Sequence, residues 1–243
     1  MRTNNKSLKY NILCAILTGL VLCGCMSSSK STSTAVTKSD KQILPDPAKV
    51  KPGNTFTFGR FEQDNDPENG AEPIEWQVLA IKDGKALAIS RYALDAKPFN
   101  DSYINVTWKR STVRKWLNGE FYNSAFNSSE KAVITNIKNS NLSNRFSGSR
   151  GGFSTNDRIF LLSFDEANQY FSDDISRQCE ATAYAKAKGA YVSSQGNSWW
   201  WLRSPGRKGS DSAVVLDIGY VSGVGYAVND GANVLRPAFW LNL

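Results

Sequence analysis

Asn197-Ser198-Trp199-Trp200-Trp201-Leu202-Arg203-Ser204-Pro205-Gly206 is the stretch on which the reading of the fold turns. Four large apolar residues in a row, closed by Pro-Gly, read as a strand and its turn. Side chains alternate along a strand, so Trp199 and Trp201 share one face and Trp200 takes the other. At least two of the three are expected in the core. One left exposed would stack on a sugar ring or pack at an interface. Arg203 in this run, and Arg236 in the apolar ending Val234-Leu235-Arg236-Pro237-Ala238-Phe239-Trp240-Leu241, sit among hydrophobic residues. Each needs a carboxylate or backbone carbonyls, and a buried structural salt bridge is the expected role. Trp240 is expected to be a buried core residue.

From Trp199 onward the chain reads as short Gly-punctuated strands. Upstream, Thr55–Phe58 alternates as a strand and Pro73–Ile81 is a second. Asp83-Gly84 supplies a primed hairpin turn, and Lys85–Ser90 is the return strand. Thr112–Leu117 reads as a helix with Ser111 as N-cap, setting Val113, Trp116 and Leu117 on one face. Ser163-Phe164-Asp165-Glu166 is a capping box opening a helix to Phe171. Thr182–Lys188 is helical and ends at Gly189. The polar segment Asn136–Asp157 reads as an exposed loop or insertion, remote from any binding site. Strands, then helices, then strands make an α+β fold.

The chain has 243 residues, 41% of them hydrophobic, 21% charged and 12% aromatic, with a mean hydropathy of −0.39. That is globular composition for a single domain, not disorder or a multi-span membrane protein. Histidine is absent. This excludes Ser-His-Asp and Cys-His hydrolases, His-ligated zinc and His-ligated haem.

Residues 1–24 read as an export signal. Arg2, Lys6 and Lys9 precede the apolar run Ile12–Gly24, which at about 1.5 Å per residue spans only ~20 Å and is too short for a membrane crossing. Leu22-Cys23-Gly24-Cys25 resembles the bacterial lipobox. That resemblance implies cleavage before Cys25, acylation of its thiol, and an extracytoplasmic lipoprotein held on the outer membrane or cell surface. Residues 25–50 then form a Ser/Thr-rich tether, and 51–243 the domain. Of the four cysteines (Cys14, Cys23, Cys25 and Cys179), the mature chain would keep only Cys179 unmodified, as a buried small hydrophobe. Removing Arg2, Lys6 and Lys9 lowers the 29 basic residues to 26, against 22 acids. A net charge of +4 on an exported chain does not point to nucleic acid.

Several motifs together resemble an uncharacterised domain family of bacterial secreted and surface proteins. They are Trp199–Gly206, Val234–Leu241, Phe58-Gly59-Arg60-Phe61, Glu75-Trp76, Ala93-Leu94-Asp95 and Trp116-Leu117-Asn118 to Phe121-Tyr122. Members end in W-W-x-R-[ST]-P-G and V-R-P-A-x-W-[IL]; Leu235 stands here where Val is usual. The family in turn is remotely similar to C-type-lectin-like domains and formylglycine-generating enzymes. This implies a C-type-lectin-like fold with short antiparallel strands, a few helices and long loops.

Ser210–Asn233 contains no Lys, Gln, Glu, Met or Trp, although these types make up 30 of the 159 residues from Lys51 to Gly209. They are the types unreachable by changing the adenines of an Asn codon. Variable proteins with C-type-lectin-like domains are diversified in that way, while a Gly-rich hairpin disfavours Lys and Glu on its own account. Ligand binding is assigned to Tyr220, Ser222, Val224, Tyr226, Asn229, Asp230 and Asn233, with Val214, Leu216 and Val221 packed inward. The expected partner is a protein or glycan. No catalytic residue, cofactor or metal is assigned: Asp64–Gly70 has oxygen ligands suited to Ca²⁺ but reads as a polar turn. The alternatives are a carboxylate-dependent enzyme acting on envelope polysaccharide and a structural envelope protein.

Overall fold

A computed structural model describes residues 44–243. The expected signal and Cys25 lie outside the described residues.

The first sheet is a meander closed by the last strand of the chain. Strands β1 (Thr55–Phe61), β2 (Glu72–Lys82), β3 (Lys85–Ser90) and β11 (Ala238–Asn242) lie in the order β1-β2-β3-β11, all antiparallel. The β2–β3 turn forms where expected, because Asp83 and Gly84 both take positive φ (50° and 69°) and so match the strand twist. Its core is aromatic. Trp76 is fully buried, donates its indole N–H to the Phe58 carbonyl at 2.6 Å, and meets Phe239 edge-on at 4.6 Å. Trp240 departs from expectation. It points to the opposite face of β11 from Phe239 and Leu241 and is only half-buried.

The second sheet runs β4 (Asp95–Ala96), β10 (Val234–Leu235), β7 (Trp200–Pro205), β8 (Asp211–Val215), β9 (Val221–Ala227). Only the β10–β7 pair is parallel. Trp200 and Trp201 are fully buried and Trp199 is half-buried. Every indole of the triplet has an acceptor: Asp217 for Trp199, the Arg177 carbonyl for Trp200 and the Lys97 carbonyl for Trp201.

The helices between the sheets are short: α1 (Thr112–Trp116), α2 (Tyr122–Ala125), α3 (Ser128–Val133), α4 (Phe164–Gln169), α5 (Asp174–Arg177) and α6 (Ala183–Ala187). Ser111 and Ser163 cap α1 and α4 through their side chains, as the sequence indicates, and Thr182, read there as the first helical residue, is in fact the N-cap of α6. Helix α4 ends two residues before Phe171. A π-helical turn, Leu117–Phe121, follows α1. Beside it, Asn118 accepts from the amides of Arg158 and Ile159 and donates to the Ile159 carbonyl, fixing the chain ahead of α4. The architecture is α+β. No helix among the described residues is long and apolar enough to cross a membrane.

The segment 136–157 is mostly exposed, as expected, but it carries regular structure that the sequence did not indicate. It forms a ribbon of β5 (Ile137–Asn139) and β6 (Thr155–Asp157). The buried Asp157 carboxylate accepts from Trp108 (3.0 Å), Asn139 (3.0 Å), Thr155 (2.6 Å) and Arg114 (2.6 Å). Asn139, Asn141, Asn144, Thr155 and Asp157 are buried and hydrogen-bonded, while most of the other polar residues of the segment face water.

Candidate ligand-binding groove

Strand β9 is the outer edge of the second sheet, and such an edge presents unpaired backbone groups. The loop between β5 and β6 covers it. Asn144 donates its amide to the carbonyls of Gly223 (2.7 Å) and Pro205 (3.0 Å), while its Oδ1 accepts from the amides of Phe146 and Ser147. Ser149 donates to the Arg207 carbonyl at 2.7 Å. The Arg207 amide in turn donates to the Val224 carbonyl.

This stitching brings Phe146 over Gly223, where it meets Phe164 of α4 edge-to-face at 5.6 Å. The Arg145 guanidinium lies about 5 Å from both ring centroids and pairs with Asp165. Phe146 nevertheless stays 73% exposed. A flat apolar ring held rigidly in water is the feature of this surface that packing alone does not explain.

The Phe146–Phe164 pair divides a groove into two clefts. On one side is an apolar cleft of about 360 Å³ formed with Tyr220, Ser222, Val224 and Arg207. On the other is a polar cleft of about 300 Å³ that includes Leu142, Arg203 and Glu166. Arg203 meets the expectation of a buried ion pair: it grips both carboxylate oxygens of Glu166, one at 2.8 Å, and donates to the Leu161 carbonyl. Burial pushes the Glu166 carboxyl up, and the Arg203 charge together with the hydrogen bonds from Arg203 and Ser163 outweighs this, so the group sits below the usual carboxylate range. Glu166 also accepts from the Ser163 amide in the capping box. A carboxylate so committed is a poor proton donor at neutral pH.

The expected binding residues separate. Tyr220 and Val224 are more than half exposed and line the apolar cleft with Ser222. Tyr226 turns elsewhere, to Trp199 (4.8 Å between ring centroids), with Tyr191 on the far side of that indole. Asn229 is exposed in the turn beyond β9, and Asp230 accepts from the Ala232 amide there. Asn233 corrects its assignment. It is 1% exposed, neither atom of its amide has a partner, and it cannot present a side chain to a ligand. Val214 and Val221 are buried and Leu216 packs against the core.

Phe146, Arg145, Phe164 and Arg207 were not among the sequence-assigned residues. The available signal was Arg145-Phe146 itself, one of two phenylalanines, with Phe153, in an Asn/Ser/Gly run that a solvated loop does not require. Far from the groove, Glu62, Asp64 and Glu72 come within 4.8 Å of one another. Their oxygens accept from the Asp66 and Gln63 amides and the Asn69 side chain, which builds the polar turn expected there.

An α+β domain whose final hairpin and a tethered polar loop enclose an amphipathic groove is the class of molecule these observations define. The chain belongs to the DUF6273 family, a domain of unknown function, whose model matches residues 83–243. The match begins at the β2–β3 turn, so β1 and β2 precede it although they share its first sheet. No curated protein and no solved structure matches the chain.

Proposed function

We propose that this is an extracytoplasmic lipoprotein, anchored through Cys25, whose C-terminal domain binds a protein ligand in the groove beside β9. The observation that carries this reading is Phe146, exposed yet pinned by Asn144 against Gly223 and flanked by Tyr220 and Val224. Rigid aromatic anchors with polar neighbours are the currency of protein recognition, because they bury large area at low entropic cost. An apolar cleft bordered by Arg207 suits a segment carrying an aromatic or aliphatic side chain next to an acidic one.

A C-type-lectin-like architecture accords with the first and last strands sharing one sheet while the Trp-rich strand and its hairpin build the second. The enzyme alternative has less support, since Glu166 and Asp165, the acids lining the polar cleft, are each paired with an arginine. The compositional bias of Ser210–Asn233 is compatible with programmed variation, and two of its exposed positions, Tyr220 and Val224, face the groove, while Ile218, Tyr226 and Asn229 are exposed away from it. A near-copy of the segment beside a reverse transcriptase gene would establish it.

The test is selection of a random peptide library on the wild-type domain, with a glycan array in parallel. Enriched peptides should lose at least thirtyfold in affinity on a Phe146→Ala/Tyr220→Ala double variant of unchanged melting temperature, the hot-spot range of about 2 kcal/mol. Peptides that bind the variant equally, or ligands found only among glycans, would overturn the reading.

A further inference from the structure

Four buried or half-buried arginines sit in this domain, and three have acids. Arg203 pairs with Glu166, Arg177 with Asp174 and Arg114 with Asp157. Arg236, between β10 and β11, is 2% exposed and pairs with no carboxylate among the described residues. Its Nε donates to the Ser90 carbonyl at 2.9 Å. The two terminal nitrogens reach only the Arg177 carbonyl and Gln77 Oε1, both at 3.4 Å. Phe171 and Trp200 lie on its faces at 5.3 Å. A guanidinium has five N–H donors, so two remain without an acceptor.

The neighbouring groups do not supply the missing charge. Burial pushes the Cys179 thiol up, against the pull of Arg236, so the sulfur stays protonated and neutral. Burial also lowers the pKa of Arg236 itself, the mark of an uncompensated cation. Yet Arg236 is not sealed in. It lines a cavity of about 290 Å³ with Gln77, Cys179, Gln178 and Asn197, which opens to solvent past Arg91 and Glu180. The charges at that mouth are opposite and offset each other, and Arg91 is further held by Glu75. Arg236 therefore sets the sign of the cavity floor.

We infer that this cavity is a binding site for a small oxyanion, a carboxylate or a phosphate, which supplies Arg236 with its counter-charge. The planar fork of a guanidinium matches two oxygens of either group, and the amides of Gln77 and Asn197 offer further donors. The volume admits a small molecule or the end of a chain and no more. The site lies apart from the groove and shares no residue with it.

The inference is tested on the full-length protein by calorimetry and thermal melts in acetate, succinate, phosphate and chloride at constant ionic strength. Saturable binding with a rise of several degrees in melting temperature is expected for carboxylates or for phosphate, and the arm that saturates identifies the chemistry. Gln77→Glu, which places a carboxylate beside the Arg236 fork with little change of shape, should melt higher than wild type without added anion. It should also bind the anion at least tenfold more weakly. A wild-type protein that saturates with none of these anions overturns the site, as does a Gln77→Glu variant that binds them as well as wild type does. Phe146→Ala should leave the response intact, which separates this site from the groove.

Discussion

The two sheets hold together by different chemistry. The first is closed by interlocked rings, Phe58, Trp76, Phe126 and Phe239, with one indole hydrogen bond inside. The second has its large rings on β7, at Trp200 and Trp201, and packs the aliphatic side chains of Val214, Val215 and Val221 beside them. Toward β9 it is fastened by side-chain amides, hydroxyls and the Arg203–Glu166 pair. Rings packed on rings leave nothing over for recognition. An edge fastened by polar groups can leave Phe146, Tyr220 and Val224 in water and still be rigid. The division of labour is between a sheet that stabilises and a sheet that displays.

That contrast is open to breakage. Trp76→Ala should cost about 3–5 kcal/mol in chemical denaturation, with ligand binding per folded molecule unchanged; a loss below 1 kcal/mol would mean the first sheet is not the stability centre. Asp157→Ala strips Arg114, Trp108, Asn139 and Thr155 of one shared acceptor. It should cost about 3 kcal/mol and open residues 140–153 to limited proteolysis. A smaller effect is expected at Glu166, whose carboxyl is depressed in the fold. Its stabilisation is present above the ordinary glutamate value of 4.5 and is lost as pH falls through the lower folded value. Glu166→Gln should thus be less stable than wild type by about 1.5–3 kcal/mol at pH 6, with the gap closing below pH 4.5. A gap that widens in acid would contradict the assigned direction. Last, Phe146→Ala should change stability by less than about 0.5 kcal/mol. A larger loss would make its ring part of the core.

What could be read in advance follows the same divide. The Asp83-Gly84 turn, the Ser111 and Ser163 caps and the burial of Trp200 and Trp201 depend on neighbours a few residues away or on sheer apolar area, and both are visible in sequence. The order of 136–157 depends on Asn144 reaching residues 61 and 79 positions later, and no local pattern announces that. Tyr220, Ser222, Val224 and Tyr226 have the parity of one strand face. The β8–β9 register shifts between Ser212 and Val214, however, and Gly225 at φ 73° lies against Ser212, where a Cβ would come within 2.2 Å of its carbonyl oxygen. The bulge sends Tyr226 to Trp199 instead of the groove. Asn233 closes the Ser210–Asn233 segment from which the binding residues are assigned, and its burial next to β10 depends on packing that no local pattern announces.

Asn144 has a further consequence, for the company the molecule keeps. A bare outer strand would let copies of the domain zip together into fibrils, the more readily if the proposed Cys25 anchor crowds them on one surface. The amide laid across Gly223 and the Arg207 amide on Val224 occupy the carbonyls through which such growth would start. A partner of the proposed kind would then be chosen by side chains rather than by main-chain pairing at this edge, with the same asparagine guarding against self-association.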